Sequence, residues 1–225
     1  MSVTGTEHAP GRGSAEARIA RLCSDCVRAT GVDGGGVTVV SSQGTPVLVH
    51  ATDPAARALE ELQFTLGEGP GIDAISRRTT VLVDDLHDQA GLDGHWTAFR
   101  GEAGGLGVRA LFAFPILVGS VALGSLDLYR RTPGGLDGGQ VSRGLETVEA
   151  VGSTLITLDG NGSPAPEVYP MTVHQAAGMV MVQLETSIDE ALVRLRATAF
   201  REGTAITTVA GDVIDGRRRF IKEEQ

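Results

Sequence analysis

Apolar residues recur at helical spacing in two long stretches of the chain, Ser14–Gly31 and Asp137–Leu158. The first stretch begins with a serine suited to N-capping and ends with a glycine suited to termination. Both stretches therefore predict helices that have one apolar face. The stripe of the first contains Ile19, Leu22, Cys23, Cys26 and Val27, and that of the second contains Leu145, Val148, Val151, Leu155 and Leu158.

Short runs of β-branched and apolar residues predict strands between these two helices. A turn at Gly119 and Ser120 separates the last two strands, which is typical of a hairpin. Pro54–Leu62 predicts a short helix. This order is not a regular alternation of strands and helices, so it predicts an α+β domain with an antiparallel or mixed sheet and helices to one side. The predicted strands are Gly36–Ser42, Pro46–Thr52, Thr79–Leu86, Val108–Ile116 and Ser120–Tyr129.

Gly, Pro and Asn are frequent in residues 160–170, which we interpret as a linker between two domains, 15–159 and 171–225. Residues 1–14 read as a disordered tail. After the linker the pattern is helical throughout, with a capping box at Ser187 and Glu190. The C-terminal part therefore predicts a small bundle of three helices. These are Thr172–Leu184, Ile188–Glu202 and Ala205–Arg218.

Composition favours a globular protein, because 41% of the 225 residues are hydrophobic and 21% are charged. No apolar run approaches the roughly 20 residues that span a bilayer, and the N-terminus has no apolar signal segment. We therefore expect a cytoplasmic protein without a membrane partner. The net charge of −9 argues against broad nonspecific binding of nucleic acid.

No side chains in this sequence form a recognisable catalytic set. None of the five histidines stands at metal-ligand spacing from another. Cys23 and Cys26 lack the second cysteine pair that a structural zinc site needs, and both fall on the apolar stripe of the first helix. Buried packing is the favoured interpretation of these cysteines, and redox sensing is the alternative. We expect no enzyme activity, no metal site and no required cofactor.

The stretch LGEGPGIDAISRR, Leu66–Arg78, is a glycine-rich loop that runs into a helix. It contains no lysine and does not match a phosphate-binding P-loop. We interpret it as a rigid turn beside a pocket between the sheet and this segment. The predicted pocket residues are Phe64, Leu66, Gly71, Ile75, Leu111, Phe112 and Phe114.

Basic residues cluster in the C-terminal helices of this acidic chain. If the apolar positions of the three helices face inward, Gln175 and Gly178 remain free, and Arg194 and Arg201 share an outer face. The run Arg217–Arg219 extends this basic rim. A glycine in the middle of a helix costs about 1 kcal/mol of stability relative to alanine, so we expect a close contact to account for Gly178. Either a helix packs closely there, or a nucleobase or phosphate lies against the helix.

The C-terminal helices resemble the ANTAR domain, an RNA-binding antitermination module. The resemblance rests on VHQAAGMVMVQL, DEALVRLRATAF and TTVAGDVIDGRRRF, and covers roughly residues 168–221. The matching positions include Ala176, Gly178, Met181, Ala191 and the pair Leu195-Arg196. The resemblance implies recognition of paired RNA stem-loops that compete with a terminator hairpin. The predicted RNA-binding residues are Gln175, Gly178, Arg194, Arg196, Arg201, Arg217, Arg218 and Arg219.

The first part of the chain resembles a GAF domain of the type that is fused to ANTAR in actinobacteria. QFTLGEGPGIDA, VLVDDL, VRALFAFPI and LGSLDLYR carry this resemblance over about Ala15–Asp159. It implies an antiparallel sheet flanked by helices, and a domain that senses a small molecule or forms dimers. The ligand varies between relatives, so the resemblance does not identify one.

The two resemblances together imply a signal-responsive RNA-binding regulator of transcription antitermination. In this hypothesis the GAF part gates the binding of stem-loop RNA, in a nascent transcript, by the ANTAR part. We expect a homodimer through the helices Ser14–Gly31 and Asp137–Leu158, because their stripes exceed what one domain face needs. The alternative hypothesis is a metabolite- or redox-sensing dimer whose helical tail binds a protein partner.

Overall fold

The computed structural model describes residues 12–41, 46–88, 95–159, 171–204 and 206–221. Within them, five strands form one sheet: β1 (Gly34–Val40), β2 (Pro46–Ala51), β3 (Val81–Val83), β4 (Ala110–Val118) and β5 (Val121–Arg130). Every pairing is antiparallel, and the order across the sheet is β2-β1-β5-β4-β3. The pairing of β4 with β5 confirms the predicted hairpin.

Helices cover both faces of this sheet, and not one face as the order of elements predicts. α1 (Arg12–Thr30) and α5 (Gly138–Asp159) pack on one face. α2 (Pro54–Leu66), α3 (Pro70–Arg77) and α4 (Thr97–Gly105) pack on the other. The reason is visible in β4, whose first seven residues are all buried. Successive side chains of a strand point to opposite faces, so such a strand needs cover on both.

Three further helices form a bundle at the C-terminal end of the described chain. They are α6 (Met171–Leu184), α7 (Ile188–Glu202) and α8 (Ile206–Ile214). The Ser187 hydroxyl accepts the Glu190 amide at 3.2 Å and so caps α7, as predicted. Most of the residues predicted to face inward are buried: Val173, Ala176, Ala177, Val180, Ala191, Leu192, Leu195, Ala199, Ile206, Val209, Ala210 and Val213. Leu184 and Ile214 are half-buried at the edge of this core, and Ile188, in the first turn of α7, is 40% exposed, so the prediction is wrong for Ile188.

Several elements differ from the sequence prediction in extent. α4 is absent from the prediction, β3 is shorter than Thr79–Leu86, and α2 continues beyond Leu62. α8 ends at Ile214 and not at Arg218, because Gly216 adopts a left-handed backbone with φ of 73°. The predicted linker lies outside the described residues, as does the predicted tail except for residues 12–14, which belong to α1.

A membrane crossing would need a long apolar helix, and none of the described helices meets that requirement.

Candidate functional site

The C-terminal bundle shares one apolar core with the sheet domain. Its buried residues form a continuous cluster with Val47 and Leu48 of β2 and with Phe64 of α2. α7 is the bundle helix that packs on α2. The bundle therefore docks on the same helix that closes one face of the sheet.

Arg196 of α7 lies at the centre of this contact. Its Nε donates a hydrogen bond to the backbone carbonyl of Phe64 at 3.1 Å. Its guanidinium carbon lies 5.5 Å from the centroid of the Phe64 ring, within cation–π range. The carbonyl belongs to the last turn of α2, where helix carbonyls lack partners within the helix and attract cations. The structure thus places a predicted RNA-binding arginine against the GAF-like part of the chain.

Three other predicted RNA-binding arginines form ion pairs within the bundle. Arg218 forms two hydrogen bonds with the carboxylate of Glu202, at 2.9 and 2.7 Å. Arg217 pairs with Asp212 and Asp215. Arg194 lies 3.9 Å from Glu190, and both side chains are more than half exposed. The pairs of Arg194 and Arg217 are exposed and contribute up to about 1 kcal/mol, so they leave these arginines available to a competing anion. The side chain of Arg218 is 29% exposed and its Nε is buried, so Arg218 is less available.

Of the remaining predicted RNA-binding residues, three are exposed and Gly178 is half-buried. Gln175, Arg201 and Arg219 are exposed. A Cβ atom placed on Gly178 would meet no atom within 4 Å. Close packing inside the described chain therefore does not explain this glycine.

The structure divides the predicted pocket residues between the two faces of the sheet. Phe112 and Phe114 lie in the core under α1 and α5. Leu111 lies in the core on the α2–α4 face. Phe64, Gly71 and Ile75 surround a space of only about 10 Å³ on that face. That is about the space of one water molecule, so these residues do not enclose a ligand cavity here.

A buried polar network fills the place where the pocket was predicted. Gln63 donates to the Asp127 carboxylate at 2.6 Å and accepts the Gly71 amide at 2.7 Å. Thr38 donates to Glu60 at 3.0 Å. A Cβ atom on Gly71 would stand 2.1 Å from Asp127 Oδ2, so glycine is required for this approach.

Glu60 of α2 and Asp127 of β5 form a pair of buried carboxyl groups in this network. Burial raises the pKa of Asp127 to about 6. Burial, and then the charge of Asp127, raise the pKa of Glu60 well above its usual range. Asp127 Oδ1 has no hydrogen-bond partner among the described residues. The raised pKa values favour a protonated carboxyl in this pair, whose O–H group can serve as a donor to the other carboxyl.

Both cysteines are buried on α1 and contribute to the core under the sheet. Burial raises the pKa of the Cys23 thiol, and the neighbouring Cys26 raises it further. Burial also raises the pKa of Cys26. A buried thiol that keeps its proton is a poor nucleophile, which favours the packing interpretation.

A cleft of about 290 Å³ lies between the sheet domain and the bundle. α2 forms one wall, Glu102 and Leu106 form another, and the C-terminal end of α7 forms the third. Phe200 lines the cleft and is 60% exposed. Sequence reasoning missed this cleft, although a phenylalanine outside the inward stripe of α7 was a signal that could have indicated it.

Metal binding finds no support in the described part of the chain, where no three His, Cys, Asp or Glu side chains gather as a metal site.

Solved structures with GAF folds resemble the sheet domain. A domain of a putative two-component sensor histidine kinase from Sinorhizobium meliloti aligns with a TM-score of 0.54 and 14% identity, covering 65% of this chain and 94% of that chain. The GAF domain of a phosphoenolpyruvate-protein phosphotransferase from Coxiella burnetii gives 0.53 and 15%, covering 66% and 86%. The GAF domain of the cyanobacteriochrome TePixJ gives 0.53 and 12%, covering 71% and 99%. At such identities the likeness shows a shared fold.

A search among curated proteins gave no match. A family model, by contrast, matches most of the chain: the GAF domain model covers residues 14–156. This range runs from the start of α1 into the last turn of α5, and it includes the whole sheet. The three C-terminal helices lie beyond it. The chain belongs to the GAF domain family.

Proposed function

We propose that this chain is a signal-responsive RNA-binding regulator of transcription antitermination. The GAF domain, a sensory domain family, gates the binding of stem-loop RNA by the three C-terminal helices. The proposal assigns no catalytic step to the chain. The RNA is a nascent transcript, so the protein acts in the cytoplasm.

The contact between Arg196 and Phe64 is the observation that carries the gating proposal. The resemblance to ANTAR domains selects Arg196 as an RNA contact. In the docked arrangement its Nε donor is used by the Phe64 carbonyl, and one face of its guanidinium lies against the Phe64 ring. RNA and the GAF domain therefore compete for the same side chain. A signal that changes the position of α2 changes the outcome of this competition.

The rest of the proposed RNA surface is accessible in the docked arrangement. Gln175, Arg201 and Arg219 are exposed, and Gly178 leaves a flat place on α6. Arginine supplies both phosphate contacts and a plane on which an unpaired loop base can stack. Docking thus withholds one contact from RNA and leaves the others in place, which lowers affinity without abolishing it.

Gel-shift titration of the full chain tests this function. A stem-loop RNA and a DNA duplex of the same sequence are compared at the same salt concentration, because phosphate contacts are salt-dependent. We expect the RNA to bind more tightly than the duplex. Equal binding of both, or binding of neither, would contradict the proposal.

A second candidate function is suggested by apolar side chains exposed on the bundle. Val182, Val193 and Phe200 are 71%, 55% and 60% exposed. Such residues suit contact with a protein partner, as in a metabolite-sensing dimer whose helical tail binds protein. Failure of the RNA experiment would favour this alternative. The buried thiols give its redox form no support.

We also propose a homodimer through α1 and α5. Most of the two apolar stripes are buried within the chain itself, which leaves Leu145 and Ile156 of α5 47% and 50% exposed. Among the described side chains of α1 and α5, these two are the large apolar ones that stay exposed, and Leu22 and Val27 of α1 are half-buried. The molar mass of the full chain, measured by light scattering at micromolar concentration, tests this proposal. We expect the mass of a dimer, and the mass of a monomer would contradict the proposal.

A further inference from the structure

We propose that the cleft between α2, α4 and α7 binds a small organic cation, an amine with an apolar or aromatic body. The cleft is distinct from the space beside Gly71, which is filled. Its volume of about 290 Å³ suits a molecule of roughly ten non-hydrogen atoms or slightly more. The occupant is selected by the chemistry of the walls.

Two carboxylates line the cleft without a balancing cation. Glu61 stands on α2 and Glu102 on α4. Among the residues that the structure describes, neither forms an ion pair with another side chain, and no basic residue lines the cleft. The local charge therefore favours a cation over a neutral molecule or an anion.

Three helix ends border the cleft. α2 ends at Leu66, α4 at Gly105 and α7 at Glu202. Leu66, Leu106 and Gly203, at or directly after these ends, all line the cleft. The C-terminal end of a helix carries a partial negative charge of about half an elementary charge. Arginines already bind two of these ends: Arg196 donates to the Phe64 carbonyl of α2, and Arg131 donates to the Leu106 carbonyl after α4 at 3.2 Å. These contacts show that the ends accept cations, and the two carboxylates carry the remaining negative charge of the cleft.

An aromatic ring completes the recognition of an organic ammonium ion. Phe200 lines the cleft and remains 60% exposed, although it lies at the contact between the two parts of the chain. An exposed ring next to carboxylates offers a cation–π face to an ammonium group and an apolar face to its hydrocarbon body. Leu62 and Leu66 supply the opposite apolar wall.

A cation in this cleft would act on docking. It contacts α2 and α4 of the sheet domain on one side and α7 of the bundle on the other. These two sides of the cleft face each other only when the bundle is docked. A ligand that binds the docked arrangement better shifts the population toward it. This regulatory step rests on the proposed function, because it weakens RNA binding by holding Arg196 on Phe64.

The binding site is tested by NMR titration of the full chain with three probes that share a phenyl ring. These are 2-phenylethylamine, 2-phenylethanol and 3-phenylpropionate, which are cationic, neutral and anionic at neutral pH. We expect the amine to shift the amide signals of Leu62, Leu66 and Phe200 at millimolar concentration, and the carboxylate to bind about tenfold more weakly or not at all. Equal shifts from amine and carboxylate, shifts elsewhere, or no shifts up to about 20 mM would overturn the assignment.

The matched variants are isosteric, so they preserve the fold. Replacing both carboxyls, Glu61→Gln with Glu102→Gln, should weaken binding of 2-phenylethylamine about tenfold. The control Glu149→Gln removes an exposed carboxyl on α5, on the other face of the sheet, and should leave binding unchanged. Equal binding by the double variant and the control would overturn the role of the two carboxylates.

The regulatory step has a separate readout. Saturating 2-phenylethylamine should weaken the binding of stem-loop RNA to the full chain several-fold, and the double carboxyl variant should lose this effect. If the amine binds in the cleft and RNA affinity stays the same, the regulatory step is wrong. If the chain binds no RNA at all, the proposed function fails, and the NMR result still decides the cleft.

Discussion

Arg196 contacts both the backbone and the side chain of Phe64 on α2: its Nε donates to the Phe64 carbonyl at 3.1 Å, and its guanidinium lies over the Phe64 ring. A side chain in this position cannot at the same time offer that donor and that face to RNA. In the proposed function, docking of the bundle on the GAF domain and full engagement of RNA are therefore competing states. The residue that the ANTAR resemblance selects for RNA is the one that contacts the GAF domain.

We expect Arg196→Ala to weaken the binding of stem-loop RNA about tenfold and to lower the magnitude of the salt slope by about one. The reason is the loss of one phosphate or stacking contact. Anisotropy titrations at several salt concentrations measure both quantities. Arg143→Ala, which removes an exposed arginine of α5, is the matched control and should change neither. Equal affinities of the two variants would remove Arg196 from the RNA surface.

Gly178→Leu separates contact with RNA from packing. A Cβ atom at this position meets nothing within 4 Å, so the larger side chain should not disturb the bundle. Leucine has a helix propensity about 0.8 kcal/mol better than glycine, so the melting temperature should stay or rise. RNA binding should be lost, because the side chain blocks the approach of a base or phosphate.

Gly211→Leu on α8 is the control for this variant, since a Cβ atom there also meets nothing within 4 Å. It should preserve RNA binding. A Gly178→Leu variant that melts at a lower temperature and binds RNA normally would show that this glycine serves packing.

α7 could be predicted closely because its ends are fixed by local residues. Ser187 caps α7 and Gly203 ends it, and both act through neighbours in the sequence. α4 could not be predicted in this way. Its first amides, those of Ala98 and Phe99, donate to the side chain of Glu68 at 3.1 and 3.0 Å. A cap supplied from a distant segment leaves no local signal.

The buried carboxyl pair predicts a pH dependence of stability. Burial raises the pKa of Asp127 to about 6 and raises that of Glu60 well above its usual range, so the folded chain keeps protons that the unfolded chain releases. The contribution of Asp127 is complete below the ordinary carboxyl pKa of about 4 and is lost as the pH rises through about 6, and that of Glu60 is lost in the same direction. His50, whose pKa is lowered by burial, acts in the opposite sense over part of this range.

Asp127→Asn isolates the contribution of the pair. We compare the melting temperature of this variant with that of the unmodified chain at two pH values. The difference, variant minus unmodified chain, should be more positive at about pH 8 than at about pH 5. Asp25→Asn removes an exposed carboxyl of α1 and should show no such trend. If the difference between Asp127→Asn and the unmodified chain is the same at both pH values, the pair does not titrate as described.

Gly71→Ala should destabilise the GAF domain, because its Cβ atom would stand 2.1 Å from Asp127 Oδ2. Overpacking of this kind costs about 1–3 kcal/mol. The midpoint of urea unfolding should fall accordingly. Gly101→Ala is the control, since a Cβ atom there meets nothing within 4 Å and α4 gains helix propensity. If the urea midpoint of Gly71→Ala equals that of the control, the buried polar network accommodates the added methyl group without a loss of stability.

The candidate site was harder to predict than the fold. The pattern of β4 indicates a buried strand, but it does not say which side chains face which helices. The sequence prediction therefore places Phe112 and Phe114 in one pocket with Leu111, whereas they lie on the opposite face of the sheet. The docking of Arg196 joins residues 132 positions apart in the chain. Contacts of that separation follow from the packing of whole elements, and no local pattern of residues encodes them.

Hydrogen exchange of the full chain with and without stem-loop RNA tests the gating claim most directly. If RNA takes Arg196 from Phe64, the last turn of α2, Phe64–Gly67, loses its cover. We expect its amides to exchange faster when RNA is added, while those of α6 around Gly178 exchange more slowly. Protection of α6 with unchanged or slower exchange in the last turn of α2 would contradict the claim, because RNA would then bind without releasing the GAF domain.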